Sequence, residues 1–370
     1  MTPADAWLRM ALIPGLGPLT VAKLLEAAEG DVTAPFTWSM SRLGQVDGIG
    51  AQRARRICDP RGEETVAKER AAAHAAGVTI STRIDPDYPK SLLVLADPPL
   101  AIWRRGELLP RDVLGIAVVG PRRPTAYGHR HAQRLSAGLA RIGATVISGL
   151  ARGIDTVAHE AALANNGRTI AVIGSGLGKL YPEENRPLAE RIVDSGAGCI
   201  FSELPLECPP TPGTFPRRNR LVAAMSLAVL VVEAGATSGS LITARMAGEL
   251  GRTVLVVPGP IDNPESAGAN QLIRDGATLV ASLEHILEEI EPLMTLAQGA
   301  TAEERRPSPR AEALTGREKQ VYQMLDDTAR GVDELARATT IPASAVSVTL
   351  LSLELKRLAK KSPGGFVRAT

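Results

Sequence analysis

The sequence has few of the residues that mark a secreted, metal-binding or membrane protein. Its 3 cysteines, Cys58, Cys199 and Cys208, are an odd number and lack the spacing of a disulfide framework or a zinc site. No apolar run approaches the ~20 residues that a membrane helix needs, and the amino terminus lacks the basic, then apolar pattern of a signal peptide. We therefore expect a soluble, cytoplasmic protein without membrane contact.

Aromatic residues and net charge are also scarce. Aromatics make up 3% of the chain, which argues against extensive stacking of bases on protein rings. The net charge of +2 at pH 7 is too small to identify a nucleic-acid-binding protein. Any nucleic-acid site must therefore be found in local clusters of basic residues.

The 5 histidines provide no catalytic or metal-ligand pattern, because none has the spacing of a Ser/His/Asp triad or of a metal site. Asp155 and His159 are four residues apart on an expected helix, and such a pair more often fixes a helix turn than performs chemistry. We therefore predict no enzyme activity, no metal and no cofactor.

The middle of the chain alternates apolar strands with helical segments, which is typical of a doubly wound α/β sheet. The strands lack polar alternation, as expected when helices cover both faces. Strands are predicted at residues 78–81, 114–119, 144–147, 169–173, 199–201, 227–232 and 253–257, with helices at 125–141, 155–164, 184–195 and 241–250. We predict an extended Rossmann-like domain over residues 77–290.

A helical domain is predicted over residues 1–76, with two glycine turns at 13–17 and 46–50. An apolar-Gly-apolar-Gly turn between helices is similar to the helix-hairpin-helix motif, whose glycine amides can receive a DNA phosphate. The second turn precedes basic residues, so Gly48, Gly50 and Arg53 are a second candidate DNA contact. The alternative, that both are ordinary turns in a helical, SAM-like bundle, stays open.

The carboxyl-terminal part is predicted to be a linker at residues 291–313, rich in Pro, Ala and charge, followed by a winged helix at 314–370. Helices are predicted at 316–326, 332–338 and 343–360, followed by a hairpin that turns at 363–365. The third helix has few cations before Lys356. Contact with duplex DNA and docking of a protein therefore both remain open for this domain.

The stretch 118–155 contains two strands that each end in a glycine turn. In a parallel sheet such turns meet at the carboxyl edge, where ligands usually bind. The first turn carries Arg122 and Arg123 and the second carries Arg152. Backbone amides of glycine turns at helix starts favour anions, so we predict a phosphate site here.

Three further loops carry polar or glycine residues. The loop 173–179 fails as a dinucleotide fingerprint because Lys179 replaces the third glycine, and it fails as a Walker loop because Leu180 replaces the Ser or Thr. Lys179 is therefore predicted to contact phosphate or to be merely solvated. Residues 215–220 hold three arginines and an asparagine, which suit phosphates and base edges. The arginines cannot share one helix face, so at least one should be structural. Ser238 or Ser240 should cap the following helix.

These loops define a predicted nucleic-acid site with low sequence specificity, because most of its groups address phosphates. Its members are Gly120, Arg122, Arg123, Ser148, Gly149, Arg152, Gly174, Gly176, Lys179, Phe215, Arg217, Arg218, Asn219, Arg220, Ser238 and Gly239.

Several of these motifs, in this order, resemble the DNA-processing protein A (Smf) family: residues 120–122, 148–155, 181–185, 215–220 and 238–244. The resemblance covers about residues 78–282. It implies a homodimer that binds single-stranded DNA, protects it, and loads the RecA recombinase onto it during natural transformation. One position departs from the family, which commonly has serine where this chain has Pro121; proline removes a backbone donor and a hydroxyl.

Two other functions remain open from the sequence. A related Rossmann class hydrolyses nucleotide monophosphates, but its Pro-Gly-Gly-x-Gly-Thr-x-x-Glu loop has no match here. A nucleotide-sensing transcription regulator would instead use the winged helix to recognise an operator.

Overall fold

The computed structural model describes residues 1–290, 314, 316–325, 329–339, 341–356, 358–362 and 365–368. Two compact units divide the chain, Met1–Ala297 and Gln298–Thr370. The predicted linker at 291–313 lies outside the described residues. The domain boundaries at residues 76 and 290 stay predictions. No helix in the described part of the chain has the length and apolar character needed to span a membrane.

One mixed sheet organises the first unit. Its strands are β1 (Thr79–Thr82), β2 (Ala101–Gly106), β3 (Gly115–Val119), β4 (Thr145–Ser148), β5 (Thr169–Val172), β6 (Gly198–Ser202), β7 (Ala228–Val231), β8 (Thr253–Val256) and β9 (Thr278–Leu279). Their order is β1-β2-β6-β5-β4-β3-β7-β8-β9. β2 is antiparallel to β1 and β6, and the remaining neighbours are parallel. The strand order therefore reverses between β3 and β7, where such folds usually bind ligands.

The predicted strands are confirmed, each to within one residue at either end. β3 to β7 are buried at every position, which explains their continuous apolar sequence. Alternate residues of β3 point to opposite faces: Ile116 and Val118 to one helix layer, Ala117 and Val119 to the other. This confirms a sheet with helices on both sides.

The helices that cover the sheet are α6 (Ala126–Arg141), α7 (Ile154–Ala164), α8 (Arg186–Asp194), α9 (Thr214–Ala224), α10 (Ser240–Glu249) and α11 (Ala267–Arg274). Residues 283–290 are also helical. α6, α7 and residues 283–290 share one apolar cluster with the sheet, whereas α9, α10 and α11 share the other. The starts of α6 and α10 therefore flank the point where the strand order reverses.

Five helices precede the sheet: α1 (Pro3–Leu12), α2 (Pro18–Ala27), α3 (Met40–Leu43), α4 (Ala51–Ile57) and α5 (Gly62–Ala75). Leu8 of α1 and Val66 of α5 pack in the same cluster as Trp103 of β2, which joins these helices to the sheet. The two predicted glycine turns have the same geometry, since Gly15 has φ +79° and Gly48, 33 residues later, has φ +84°.

Reciprocal contacts join these two turns. Lys23 forms an ion pair with Asp47, the residue before Gly48, and the Arg56 side chain donates to the carbonyl of Pro14, the residue before Gly15. Each contacting cation stands eight residues after the glycine of its own turn. The two hairpins are therefore related by an internal two-fold pattern.

The second unit contains three helices, Gly316–Gln323, Val332–Thr339 and Ala343–Leu355, and a hairpin of β10 (Ala359–Ser362) and β11 (Gly365–Arg368). This is the predicted winged helix. The prediction that its third helix reaches residue 360 was wrong. The amide of Leu358 donates to the carbonyl of Leu353 (2.8 Å), a bond that closes a helix end, and Ala359 begins β10.

Candidate nucleic-acid interface

A cleft of about 960 Å³ opens where the strand order reverses, at the carboxyl ends of β3 and β7. Its walls come from the loop after β3, the loop after β7, and the first turns of α9 with the segment that precedes them. A concave site of this size at this place is typical of ligand binding in α/β sheets. Three of the loops singled out in the sequence therefore surround one opening.

The turns after β3 and β4 are packed against each other. A Cβ at Gly120 would lie 2.5 Å from Ile154 Cγ1, and the Ile154 amide donates to the carbonyl of Pro121 (3.3 Å). Gly153 has φ +76°, a conformation that favours glycine, and its Cα faces the backbone of Pro121 and Arg122. Pro121 thus supplies a carbonyl that holds the second turn.

Arg218 extends from α9 to the turn after β4 and lines the cleft. It is only 7% exposed, and its guanidinium occupies the space that a Cβ at residue 149 would need. Its Nε is buried without a hydrogen-bond partner among the described residues. Burial lowers the pKa of Arg218, and the nearby Asp155 carboxylate opposes this effect. A buried guanidinium that faces an open cleft favours an anionic ligand.

Asp155 fixes the turn after β4 from inside. Its carboxylate accepts the amides of Gly149 (3.0 Å) and Ala151 (3.3 Å). Burial raises the pKa of Asp155, while the positive charge of Arg218 acts in the opposite direction. The Gly149 amide is therefore already bonded within the protein. Ser148 is also buried and donates to the carbonyl of Val118 (2.7 Å). These two predicted contact residues shape the cleft from within.

The predicted pairing of Asp155 with His159 was wrong. Asp155 is held by the two backbone amides, and His159 Nδ1 lies 2.6 Å from Thr169 Oγ1 on β5. Burial lowers the pKa of His159 to about 3, so its ring is neutral at pH 7. Its bond to a strand hydroxyl, in the interior of the sheet, gives it a packing role.

Two aromatic rings lie at the mouth of the cleft beside arginines. The ring centroids of Tyr181 and Phe215 are 5.6 Å apart. Arg122 Cζ lies 5.3 Å from the Phe215 ring and Arg152 Cζ lies 5.7 Å from the Tyr181 ring. Such cation–π contacts orient a guanidinium without neutralising it. The mouth therefore presents positive charge and aromatic faces together.

The predicted cations fall into two groups by their acidic partners. Arg152 pairs with Glu184, Lys179 with Glu207 (3.0 Å), Arg217 with Glu203 (3.2 Å), and Arg220 with both Glu203 and Asp97. Among the described residues, no carboxylate lies within 4.0 Å of Arg122, Arg123 or Arg218. The second group is therefore the one with uncompensated charge at the cleft.

Arg220 is part of a buried network. Its side chain is 8% exposed and that of Glu203 is 4% exposed. Burial raises the pKa of Glu203, and the charges of Arg220 and Arg217 oppose the rise. Arg217 is different, because its side chain is 47% exposed. This agrees with the expectation that one arginine of the 215–220 cluster serves the fold.

The glycine loop after β5 is covered by the segment 205–208. The Gly176 amide donates to the carbonyl of Cys208 and the Gly178 amide to that of Leu206, both at 2.8 Å. Gly174 is buried against Phe215. These amides do not face the cleft as a phosphate loop would, and only Lys179 of this segment is exposed.

The loop after β7 completes the wall. Ser238 and Gly239 line the cleft beside Asn219, and Ser238 Oγ lies 2.8 Å from Ser240 Oγ. The Ser240 amide points to Ser238 Oγ at 3.4 Å, which is the local cap predicted from the sequence. The sequence interpretation missed the lining residues Thr237 and Glu265, which no recognised motif contains.

Two features lie apart from the cleft lining or support it. Gly48, Gly50 and Arg53 are not among the residues that line it, and the Arg53 side chain donates to the Gly48 carbonyl. Glu233, buried at the end of β7, accepts the Thr125 amide (2.9 Å) and hydroxyl (2.7 Å). Glu233 therefore fixes the start of α6 next to the opening.

Comparison with known proteins agrees with this architecture. A family model described as DNA recombination-mediator protein A matches residues 79–291, and one described as the DprA winged helix domain matches residues 305–365. Protein Smf of Escherichia coli K12 is 43% identical over 282 residues, covering 76% of this chain and 75% of that protein. Protein Smf of Synechocystis is 33% identical and covers 97% of this chain and 96% of that protein.

Solved structures give the same result. The X-ray structure of DNA processing protein A from Streptococcus pneumoniae is 32% identical, has a TM-score of 0.66, and covers 78% of this chain and 99% of that chain. DNA processing protein A from Helicobacter pylori, solved for its single-stranded DNA binding mode, is 32% identical, has a TM-score of 0.52, and covers 58% and 96%. With this sheet, this cleft and these matches, the chain belongs to the DNA recombination-mediator protein A family of DNA-processing proteins.

Proposed function

We propose that the cleft binds the backbone of single-stranded DNA without sequence specificity. The observation that carries this proposal is Arg218, a buried guanidinium that lines an open cleft with no carboxylate within ion-pair distance among the described residues. A phosphate oxygen would complete its hydrogen bonding, because guanidinium and phosphate form charge-assisted bonds. Arg122 and Arg123 would add contacts to neighbouring phosphates at the mouth.

A single strand suits the site better than a duplex. Tyr181 and Phe215 present ring faces next to Arg122 and Arg152. Only an unpaired base can stack on such rings, and stacking tolerates any base. The single-stranded DNA binding mode described for the Helicobacter pylori protein supports the same choice of ligand.

The proposed contact residues are a subset of those predicted from the sequence. We retain those that are exposed or that line the cleft: Gly120, Arg122, Arg123, Arg152, Lys179, Phe215, Arg217, Arg218, Asn219, Ser238 and Gly239. Ser148, Gly149, Gly174, Gly176 and Arg220 are assigned to the framework, because their polar groups or surfaces are used inside the protein.

The paired cations can still contribute to binding. The side chains of Arg152 and Glu184 are 45% and 52% exposed, and those of Lys179 and Glu207 are 53% and 63% exposed. Exposed ion pairs are worth little in water. A phosphate backbone can therefore compete for Arg152 and Lys179 at small cost, whereas Arg220 would have to leave a buried carboxylate.

We further propose that the protein acts as a homodimer that loads RecA recombinase onto the bound strand and protects incoming DNA in natural transformation. Membership of a family described as recombination mediators supports this proposal. It needs no enzyme activity, cofactor or metal. The test is RecA filament formation on DNA coated with single-strand-binding protein, together with light scattering. A monomer that leaves RecA loading unchanged would contradict the proposal.

The binding proposal is tested by titrating the protein with labelled single- and double-stranded oligonucleotides of mixed sequence, with AMP as a competitor. We expect tighter binding of single strands, little dependence on sequence, and little competition by AMP. Strong preference for one duplex sequence would favour a transcription regulator. Displacement by AMP, with release of free base, would favour a nucleotide hydrolase.

A further inference from the structure

A long part of the sequence next to the cleft contains no acidic residue. Between Asp112 and Asp155 the chain has no Asp or Glu and has six arginines, although it has 40 acidic residues in 370 overall. Three of the six, Arg122, Arg123 and Arg152, stand in the loops of the cleft. The other three lie on α6, outside the cleft.

The arginines of α6 lie on its solvent side. Arg130 and Arg134 are one turn apart, and Arg141 follows seven residues later, so all three fall on one side of the helix. All three are exposed, whereas Leu135 and Leu139 on the opposite side are buried against the sheet. From Arg130 to Arg141 the rise along the helix is about 16 Å.

The position of α6 connects this stripe to the cleft. Arg122 lines the cleft, Arg123 follows it, and the helix begins at Ala126. The bonds from Thr125 to Glu233 fix the helix start at the edge of the sheet. A strand that leaves the cleft past Arg123 would therefore meet the exposed side of α6.

The charge of the stripe is largely uncompensated. Arg134 donates to the carbonyl of Ala281 (2.8 Å), and Arg141 donates to Asn165 Oδ1 (3.4 Å). Within the described residues, neither of these arginines nor Arg130 has a carboxylate within 4.0 Å. One acidic group faces the stripe from the neighbouring helical segment 283–290: Glu284, whose pKa is lowered first by Ser282 and also by Arg134.

We propose that the exposed side of α6, carrying Arg130, Arg134 and Arg141, binds the phosphates of a single strand as it continues out of the cleft. This inference rests on the proposed function of the cleft and extends it to a second surface. Cations in a row at helical spacing can follow a flexible phosphate backbone and require no base contacts.

The test compares oligonucleotide lengths in wild type and in Arg130→Ala/Arg134→Ala. A strand of about 6 nucleotides should fill the cleft alone, whereas one of about 20 should also reach α6. For the long strand we expect the double variant to bind about tenfold more weakly, with its salt slope smaller by about 1.4, which is 0.7 for each phosphate contact. Its affinity for the short strand should stay within twofold of wild type.

A matched control is Arg191→Ala/Arg274→Ala, which removes the same charge from exposed positions on α8 and α11. The control should bind both strands as wild type does. Equal loss for both strand lengths, or an unchanged affinity and salt slope for the long strand, would overturn the assignment of α6. Should wild type bind neither strand, the proposed function of the cleft fails as well.

Loss of the Arg134 contact with Ala281 is a foreseeable source of instability, so the single variant Arg130→Ala is measured in parallel. It should reduce the long-strand salt slope by about 0.7. In wild type itself, the salt slope should rise with strand length beyond that which fills the cleft. A slope that stops rising at the short length would also overturn the proposal.

Discussion

The guanidinium of Arg218 lies against the backbone of Gly149, in the space that any side chain at residue 149 would occupy. Gly149 belongs to the turn after β4, and Arg218 belongs to α9, 69 residues later in the chain. The turn is kept open to the arginine because Asp155 binds its amides from the other side. Two motifs that are far apart in sequence thus create one buried positive charge at the cleft.

Gly149→Ala should displace Arg218 without removing it. The added methyl group overlaps the guanidinium, and overpacking at a buried site costs about 1–3 kcal/mol. We expect a lower melting temperature and at least tenfold weaker binding of single-stranded DNA. Gly248→Ala is the control, since nothing lies within 4 Å of a Cβ there. Normal binding by folded Gly149→Ala would show that the position of Arg218 is unimportant.

Arg217 and Arg220 should separate binding from stability. Arg220→Ala leaves the buried Glu203 without its closest partner, and breaking a buried ion pair costs about 3–5 kcal/mol. Arg217→Ala removes an exposed arginine while Glu203 keeps Arg220, so the melting temperature should change little and single-strand affinity should fall several-fold.

Neutralising the carboxylate as well checks this assignment. Arg220→Ala/Glu203→Gln should recover part of the lost stability, because the uncompensated charge is removed. Thermal melting and oligonucleotide titration on the same preparations measure both properties. A stable Arg220→Ala protein with much weaker DNA binding would place Arg220 at the interface instead.

His159 should make the protein sensitive to acid. Its folded-state pKa is lowered to about 3, whereas the ordinary value is 6.5, so the unfolded chain binds the extra proton between these values. Stability should therefore rise with pH from about 3 to 6.5 and fall as the pH is lowered through this window. At pH 5 the contribution is a loss of about 2 kcal/mol relative to pH 7.

His159→Gln is the comparison, because glutamine does not titrate and can still bond to Thr169. The free energy of unfolding of the variant should change less between pH 7 and pH 5 than that of wild type. Denaturant unfolding at the two pH values measures the difference. Parallel pH dependence in both proteins would mean that His159 is not buried in its neutral form.

The strands could be predicted because burial on both faces demands continuous apolar runs, as in β3 and β5. β2 was missed: Pro98 and Pro99 precede it, and Arg104 and Arg105 lie within it, so its residues look like a loop. Only its antiparallel pairing with β6 makes it a strand of the sheet.

The site could be predicted only in part. Glycine turns and arginines stand out in the sequence, and the fold brings most of them to one cleft. Their partners do not stand out: Glu203 neutralises Arg220 from another loop, and the Cys208 carbonyl takes the amide of Gly176. Whether an arginine is available to DNA depends on such contacts between distant segments, which local patterns do not encode.

The most direct test of the account is the affinity of Arg218→Ala for a single-stranded oligonucleotide across a range of salt concentrations. Removing a buried, unpartnered guanidinium should leave the melting temperature unchanged or raise it. Affinity should fall at least tenfold, because charge-assisted bonds to a desolvated phosphate are worth about 1.5–3 kcal/mol. Arg191→Ala should bind as wild type does. A folded Arg218→Ala protein with wild-type affinity at every salt concentration would contradict the central claim that this buried arginine binds the DNA backbone.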